Sequence, residues 1–153
     1  MTNDGTDEGA WRAEAAMLRA SRPRHVLFMC VANSARSQMA EGIARSLVGS
    51  GVRISSAGSI PTKIRPEAIE VLREIGIDIT AQRSKGVGEI EGDVDTVVTL
   101  CAEEVCPVWL GSATRVHWGL PDPAATDGDP EARLAAFRAV REELRVRLEG
   151  VFG

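Results

Sequence analysis

The sequence contains no tyrosine, and it has only three phenylalanines and three tryptophans among 153 residues. Little aromatic surface is therefore available to build the wall of a pocket for an aryl group. A basic run is also absent, since 18 lysines and arginines are scattered among 22 acidic residues and the net charge is −4. Because clustered basic residues are the usual mark of nucleic-acid and membrane surfaces, we expect neither partner.

Long apolar stretches and a secretory signal are missing as well. No run approaches the roughly 18 apolar residues that span a bilayer, and residues 1–20 are acidic and polar. We therefore expect a cytoplasmic protein, in which thiols are kept reduced. The three cysteines, an odd number, are then not expected to be structural disulfides.

Residues 1–23 are predicted to be an N-terminal extension that lies outside the main domain. Its helical spacing of apolar residues predicts one amphipathic helix from Ala10 to Ala20. No chemistry is assigned to this helix. The apolar residues expected to pack it are Trp11, Met17 and Leu18.

Residues 24–153 are predicted to form a single domain in which strands and helices alternate. The expected strands cover residues 25–30, 52–56, 94–100 and 114–118, and the expected helices cover 37–47, 66–75 and 130–148. The first strand, His25–Cys30, is largely apolar, which is typical of a strand buried on both faces of a parallel sheet. The alternation predicts an α/β fold, a three-layer domain with a four-stranded parallel sheet flanked by helices.

The segment from Cys30 to Ser37 joins the first strand to a predicted helix. Ligands of parallel sheets bind where the strands end, and a short loop entering a helix directs several N–H groups at one point, which suits a tetrahedral oxyanion. Arg36 can bind two oxygens of such an anion, and Ser37 can donate a hydrogen bond to the Cys30 thiolate, the expected nucleophile. The expected oxyanion-binding loop is Val31, Ala32, Asn33, Ser34, Ala35 and Arg36.

Three motifs carry a resemblance to a known family. The run VLFMCVANSARSQMAEGIAR resembles the start of the low-molecular-weight protein tyrosine phosphatase fold, and it is more similar still to the thioredoxin-coupled arsenate reductases built on that fold. Their N-S-x-R-S-Q-M-A-E-G run is matched from Asn33 to Gly42, and SSAGS at 55–59 resembles their second strand and turn. Asp122-Pro123 resembles the Asp-Pro loop, and the resemblance covers residues 24–150.

The resemblance implies an arsenate reductase with a relay of three cysteines and no tightly bound cofactor. Cys30 attacks arsenate, Cys101 attacks the arseno-cysteine and releases arsenite, and Cys106 takes over the disulfide, which thioredoxin reduces. Cys101 directly follows the third predicted strand, and the carboxyl ends of parallel strands meet at one edge, so we expect it near Cys30. Phosphate and sulfate are expected to bind as arsenate analogues.

A disulfide between Cys101 and Cys106 restricts the conformation of the chain between them. Residues five apart on a helix point about 140° apart, whereas a disulfide needs Cα atoms within about 7 Å and convergent Cβ vectors. We therefore expect a loop here, mobile from Cys101 to about Thr114.

Asp122 is the expected general acid for the leaving oxygen, although an aspartate before proline is also a common turn residue. Phosphotyrosine phosphatases of this fold carry aromatic residues after the Asp-Pro to stack on the substrate ring, whereas Ala124-Ala125-Thr126 follow here. The sequence thus favours arsenate reduction over the alternative, a low-molecular-weight phosphatase acting on phosphotyrosine or small phosphate esters.

Some relatives hold a potassium ion beside the loop with residues that match Asn33, Glu41 and Ser56. In this sequence a fixed cation from Arg83 or Lys85 falls near the same position and can replace the metal. We therefore expect no metal and no specific potassium requirement.

The cysteines also allow two alternative functions. A three-thiolate sensor for arsenite or zinc would use Cys30, Cys101 and Cys106. A reductase resolved by a low-molecular-weight thiol would not need the Cys101–Cys106 pair. His25 and His117 lack the spacing of metal ligands and are expected to be structural. We expect the protein to be a monomer.

Overall fold

The computed structural model describes residues 4–102 and 106–153, and its centre is one parallel sheet. Its strands are β1 (His25–Cys30), β2 (Arg53–Gly58), β3 (Thr96–Thr99) and β4 (Thr114–His117). They lie in the order β2-β1-β3-β4, and every neighbouring pair is parallel. The predicted α/β fold with a four-stranded parallel sheet is confirmed.

Four helices connect and cover the strands. They are α1 (Asp4–Ser21), α2 (Arg36–Leu47), α3 (Pro66–Arg73) and α4 (Pro130–Phe152). The start of α4 is as predicted, because the Asp129 side chain accepts a hydrogen bond from Ala132 N at 2.8 Å and Pro130 is the first helical residue. In the described part of the chain, no helix is long and apolar enough to cross a membrane.

Several boundaries differ from those predicted. β2 continues past Ser56 to Gly58 because β1 pairs with it up to the Cys30–Gly58 register. β3 is shorter than the predicted 94–100, since its ladder with β4 covers only four residues, and Leu100 is buried beyond its end. α3 ends at Arg73 rather than Ile75, followed by Gly76 with φ of 81°.

The two faces of the sheet are covered differently. Val26 and Phe28 of β1 face the cluster formed by the helices, whereas Leu27 and Met29 face a smaller cluster on the opposite side. That smaller cluster is covered by a short 3-10 helix over Val87–Glu89 and by residues of the 107–113 segment. All six residues of β1 are buried, as its apolar sequence predicts.

The helix of the N-terminal extension is part of the core. It starts at Asp4, earlier than the predicted Ala10, and packs along α4. Trp11 and Leu18 are buried as expected, but Met17 is 44% exposed and Ala15 takes its place. The reason is geometric, since positions 11, 15 and 18 follow the i, i+4, i+7 spacing of one helix face.

Candidate active site

The carboxyl end of β1 opens into a pocket formed by the loop that precedes α2. Its volume is about 160 Å³. No described side chain caps the N-terminus of α2, so the first N–H groups of the helix are available to an anion. The residues that line the pocket are Cys30, Val31, Ala32, Ser34, Ala35, Arg36 and Asp122.

A chain of buried hydrogen bonds ends on the Cys30 sulfur. Cys30 Sγ lies 2.8 Å from Ser37 Oγ, and Asn33 Nδ2 donates to the same Ser37 Oγ at 2.8 Å. The orientation of the Asn33 amide is fixed, because its Oδ1 accepts from the backbone N–H of Lys85 at 2.9 Å. While Ser37 Oγ accepts from Asn33, its own proton is free to be donated to Cys30 Sγ when the thiol is ionised, and this bond would stabilise the thiolate.

Asn33 does not line the pocket; its side chain is buried beneath the loop and stabilises it. Its backbone is left-handed, with φ of 49°, and its side chain is fully buried. Gln38 Nε2 donates to Asn33 Oδ1 at 2.9 Å, and Gln82 Nε2 donates to Gln38 Oε1 at 2.8 Å. This network fixes a strained loop conformation that an unsupported chain would rarely adopt.

Next to this network lies a buried carboxylate, Glu41, which is 1% exposed. Ser56 Oγ donates to Glu41 Oε1 at 2.5 Å, Lys85 Nζ lies 3.6 Å from the same oxygen, and Arg45 Nη2 lies 2.6 Å from Oε2. Arg83 pairs instead with Glu89 at 2.9 Å. The donor set expected for potassium is thus occupied by hydrogen bonds and by the Lys85 ammonium, and it does not fit a metal ion.

Arg36 is held at the ends of the neighbouring strands. It is 4% exposed, and its Nη1 donates to the Leu120 carbonyl oxygen at 2.9 Å and approaches that of Leu100 at 3.4 Å. Its Nη2 lies 4.0 Å from Asp122 Oδ2. The guanidinium is therefore fixed by carbonyls from after β3 and β4 while it lines the oxyanion pocket.

Asp122 lies at the mouth of the pocket, with 37% of its side chain exposed. Its Oδ1 accepts a hydrogen bond from Ala124 N at 3.0 Å and so caps a one-turn 3-10 helix over Pro123–Ala125. The turn-residue interpretation of this aspartate describes the structure, and its role as general acid stays a prediction. One oxygen caps the turn, and the other faces Arg36.

Cys101 and Cys106 form a disulfide, with Cα atoms 5.6 Å apart, and Cys30 is a free, buried thiol. β1 and β3 pair in the Met29–Thr99 register, which places Cys30 level with Leu100 and next to Cys101 along the sheet edge. The described residues of the 101–113 segment contain no helix or strand, and residues 103–105 lie outside the described part. The expected mobility of this segment stays a prediction.

Comparisons with known proteins agree on one family. The sequence profile of the low molecular weight phosphotyrosine protein phosphatases matches residues 25–152. The arsenate reductase of Halalkalibacterium halodurans is 42% identical over 127 residues, covering 81% of this chain and 91% of that protein. An arsenate reductase solved in an oxidized state is 32% identical, with a TM-score of 0.71 and coverage of 84% and 96%. A thioredoxin-dependent arsenate reductase from Corynebacterium glutamicum is 27% identical, with a TM-score of 0.56 and coverage of 90% and 70%.

The chain belongs to the low molecular weight phosphotyrosine protein phosphatase family. In this member of the family, an aromatic wall beside the Asp-Pro turn is lacking among the described residues, because Ala124 and Ala125 follow Pro123. Trp109 packs in the smaller cluster and Trp118 is 2% exposed in the larger one.

The anion loop of this chain also packs against Gly58, which the sequence alone places only in the turn after the second predicted strand. Gly58 lies so close to the loop that a Cβ there would clash with the Val31 carbonyl oxygen and come within 2.9 Å of Asn33 N and Cys30 O. Its position beside the Cys30 loop follows from the β1–β2 register, which a single sequence does not reveal.

The two histidines have structural partners. His25 Nδ1 lies 3.0 Å from the Asp93 carbonyl oxygen, and Nε2 lies 2.8 Å from Ser55 Oγ. His117 Nδ1 lies 2.6 Å from Thr99 Oγ1. Within residues 4–102 and 106–153, no group of three or more histidine, cysteine or acidic residues is placed to hold a metal.

Proposed function

We propose that the protein reduces arsenate to arsenite, with Cys30 as the nucleophile and with thioredoxin as the reductant of the Cys101–Cys106 disulfide. The observation that carries the proposal is the pairing of a free thiol inside an oxyanion pocket with a disulfide at the adjoining strand end. Its relatives of 42% and 32% identity that are named arsenate reductases, and the thioredoxin-dependent relative, support the same reaction.

The first step forms a sulfur–arsenic bond. Arsenate binds to the N–H groups of the loop and to Arg36, and the Cys30 thiolate attacks the arsenic. An arsenic–oxygen bond breaks, and the oxygen leaves as water with a proton from Asp122, which lies at the pocket mouth. Ser37 stabilises the thiolate before attack through the 2.8 Å contact with Cys30 Sγ.

The second step reduces the arsenic. The Cys101 thiolate attacks the Cys30 sulfur, a disulfide forms, and the sulfur–arsenic bond breaks with its electron pair going to arsenic, which leaves as arsenite. Cys106 then attacks Cys101 and releases Cys30 as a thiolate. The observed pairing, with Cys101 bonded to Cys106 and Cys30 free, corresponds to the product of this exchange.

The reductant must reach one sulfur of the remaining disulfide. Cys101 is 1% exposed, whereas Cys106 is only partly buried. We therefore expect the thioredoxin thiolate to attack the Cys106 sulfur, with Cys101 as the leaving thiolate. All of these groups lie in one chain, so the proposal needs no second copy of the protein, and a monomer in the reducing cytoplasm suits it.

Arsenate-dependent NADPH oxidation in the presence of thioredoxin and thioredoxin reductase tests the proposal. The wild type should turn over steadily, and each of Cys30→Ser, Cys101→Ser and Cys106→Ser should lose steady turnover. Cys106→Ser should still release one arsenite per molecule, because only the last exchange is removed, whereas Cys30→Ser should release none. Steady turnover by Cys106→Ser would contradict the relay.

Hydrolysis of a small aryl phosphate provides the comparison with phosphatase function, because the loop chemistry is the same for phosphate and arsenate. We expect slow hydrolysis, since alanines take the place of an aromatic wall after Pro123. Hydrolysis that exceeds arsenate reduction and survives Cys101→Ser would make a phosphatase the main function.

A further inference from the structure

The N-terminal helix α1 makes a specific polar contact with the core strand end that leads to the active site. Trp118 follows β4 and is 2% exposed, and its indole Nε1 donates to Glu14 Oε1 at 3.1 Å. The two residues are 104 positions apart in sequence, and Glu14 lies outside the 25–152 family match. A buried indole N–H needs an acceptor, and here α1 supplies it, so α1 contributes to the position of Trp118.

Trp118 is the first residue of a short segment, residues 118–120, that contacts both Arg36 and Cys101. Trp118 N donates to Thr99 O at 2.8 Å, and Leu120 N donates to Leu100 O at 3.1 Å, so residues 118–120 continue the pairing beyond β3 and β4. Between them, Gly119 lies against the Cys101 backbone, since a Cβ there would be 3.0 Å from the Cys101 carbonyl oxygen.

The far end of this segment contacts the anion pocket. The Leu120 carbonyl oxygen accepts from Arg36 Nη1 at 2.9 Å, and Asp122 follows two residues later. Residues 118–120 therefore connect Trp118 to the Arg36 guanidinium through the Leu120 carbonyl oxygen. Gly119 places the same residues against the Cys101 backbone.

We propose that Glu14 and Trp118 are positioning residues: α1 sets the place of the 118–120 segment, and this segment sets Arg36 for oxyanion binding and Cys101 for attack on Cys30. The effect on Cys101 rests on the proposed function, whereas the effect on Arg36 requires only that the loop binds an oxyanion. The position of the Leu120 carbonyl oxygen affects oxyanion binding because it orients the Arg36 guanidinium. Small displacements of a guanidinium strongly weaken its bidentate contacts with an anion.

Two tryptophans at the same helix interface provide a matched pair of variants. Arg147 lies over both rings, 5.6 Å from the Trp11 centroid and 5.7 Å from that of Trp118. Within the described chain, Trp11 Nε1 is buried and has no hydrogen-bond partner. Trp118→Phe therefore removes a satisfied donor, and Trp11→Phe makes the same chemical change without breaking a hydrogen bond.

Titration with inorganic phosphate measures the effect on Arg36 directly. Trp118→Phe and Glu14→Leu should each weaken phosphate affinity measurably, by up to about 10-fold, the limit reached if the whole free energy of one buried hydrogen bond is lost from binding. Glu14→Gln keeps an acceptor oxygen and should bind phosphate as the wild type does, and so should Trp11→Phe. Ile54→Val, a core substitution in β2, is the control for lost stability. It should lower the thermal midpoint about as much as the other variants do and leave phosphate affinity unchanged.

Single-turnover arsenite release on the same variants measures the effect on Cys101. It should slow in Glu14→Leu at saturating arsenate, so that the maximal rate falls and not only the apparent affinity. Equal phosphate affinity in Glu14→Leu and Glu14→Gln, or equal weakening by the two tryptophan variants, would overturn the proposal. Failure of the wild type to reduce arsenate would instead contradict the proposed function. The phosphate titrations would still test the effect of Glu14 and Trp118 on Arg36.

Discussion

The residues behind the anion loop form one connected set of buried polar groups. Asn33 joins Ser37 to Lys85, and Lys85 and Ser56 both contact Glu41. Glu41 is nearly inaccessible, and a buried carboxylate is stable only when cations and hydrogen-bond donors surround it. Because Lys85 belongs to the chain, its charge is supplied at a fixed place and does not depend on the salt in solution.

Because the Lys85 ammonium lies 3.6 Å from Glu41, we expect the protein to have no potassium requirement. Wild-type arsenate reduction should be the same within about twofold in potassium and in sodium salts of equal ionic strength. Lys85→Ala should lower activity several-fold, since it removes one of the cations beside a buried carboxylate, and potassium should restore part of the loss better than sodium.

The other lysine of the chain, Lys63, is exposed and provides the control. Lys63→Ala should create no difference between potassium and sodium in steady-state assays. A large loss of wild-type activity when potassium is replaced by sodium would contradict the role given to Lys85.

The sequence predicts the residues of this site to the extent that their contacts are local. Cys30, Arg36 and Ser37 lie within one strand-loop-helix junction, and their arrangement follows from that junction. The sequence does not predict the long-range contacts of Gln38 with Gln82 and of the Leu120 carbonyl oxygen with Arg36, because each pair is more than forty residues apart. Such partners become neighbours only through the order of strands in the sheet.

At the scale of elements, the parallel register brings β2 and the anion loop into direct contact. Ile60 N donates to Val31 O at 2.9 Å, and Thr62 N donates to Ala32 O at 3.1 Å, so the chain after β2 runs along the loop. Gly58 lies at the start of this contact, where only a hydrogen atom fits between the backbones.

Gly58→Ala should therefore damage the fold and the pocket together. Its methyl group would meet backbone atoms of the loop, which cannot turn away as a side chain can. We expect a loss in free energy of unfolding at or above the upper end of about 1–3 kcal/mol, measured by urea denaturation, and a large loss of phosphate affinity.

Gly49→Ala is the matched control for this substitution. No heavy atom lies within 4 Å of the place of a Cβ at Gly49. Its stability should change by less than about 0.5 kcal/mol, and its phosphate affinity should be that of the wild type. A Gly58→Ala protein that binds phosphate normally would show that the loop does not need this close approach.

Element types follow from the sequence more reliably than element ends do. β1 and α4 carry strong signals, a continuous apolar run and an Asp-Pro cap, and both begin where predicted. The ends of β2 and β3 depend on how long their neighbours are, and α1 extends to Asp4 through a polar stretch without an apolar signal. These lengths are set by tertiary pairing rather than by local pattern.

Across the whole molecule, two sets of titrating groups act in different pH ranges. Hydrogen bonds from Arg138 and Arg141 lower the pKa of Glu74 from 4.5 to about 2, and hydrogen bonds from Arg145 lower the pKa of Glu142. Burial lowers the pKa of His25 from 6.5, and the His25 ring is therefore neutral in the folded protein near neutral pH. Glu74 directly follows α3 and Glu142 lies on α4, both at the surface, whereas His25 is in the sheet.

Stability should consequently fall with acid in two stages, each set by one of these groups. His25 in the unfolded chain takes up a proton near pH 6.5, before the buried ring does, so folding stability falls as pH falls below about 6.5. A single group contributes at most about 1.4 kcal/mol per pH unit. The carboxylate contribution is present above pH 4.5 and is lost as pH falls from about 4.5 toward 2.

Urea denaturation from pH 8 down to about pH 2.5 covers both stages, and His25→Gln separates them. This variant keeps a side chain that can hydrogen-bond to Ser55 but cannot titrate, so its stability should be lower overall and nearly constant from pH 7 to 5. The fall below pH 4.5 should remain, and it should become smaller at high salt, which screens the exposed pairs of Glu74. An unchanged slope from pH 7 to 5 in His25→Gln would show that another group causes the first stage.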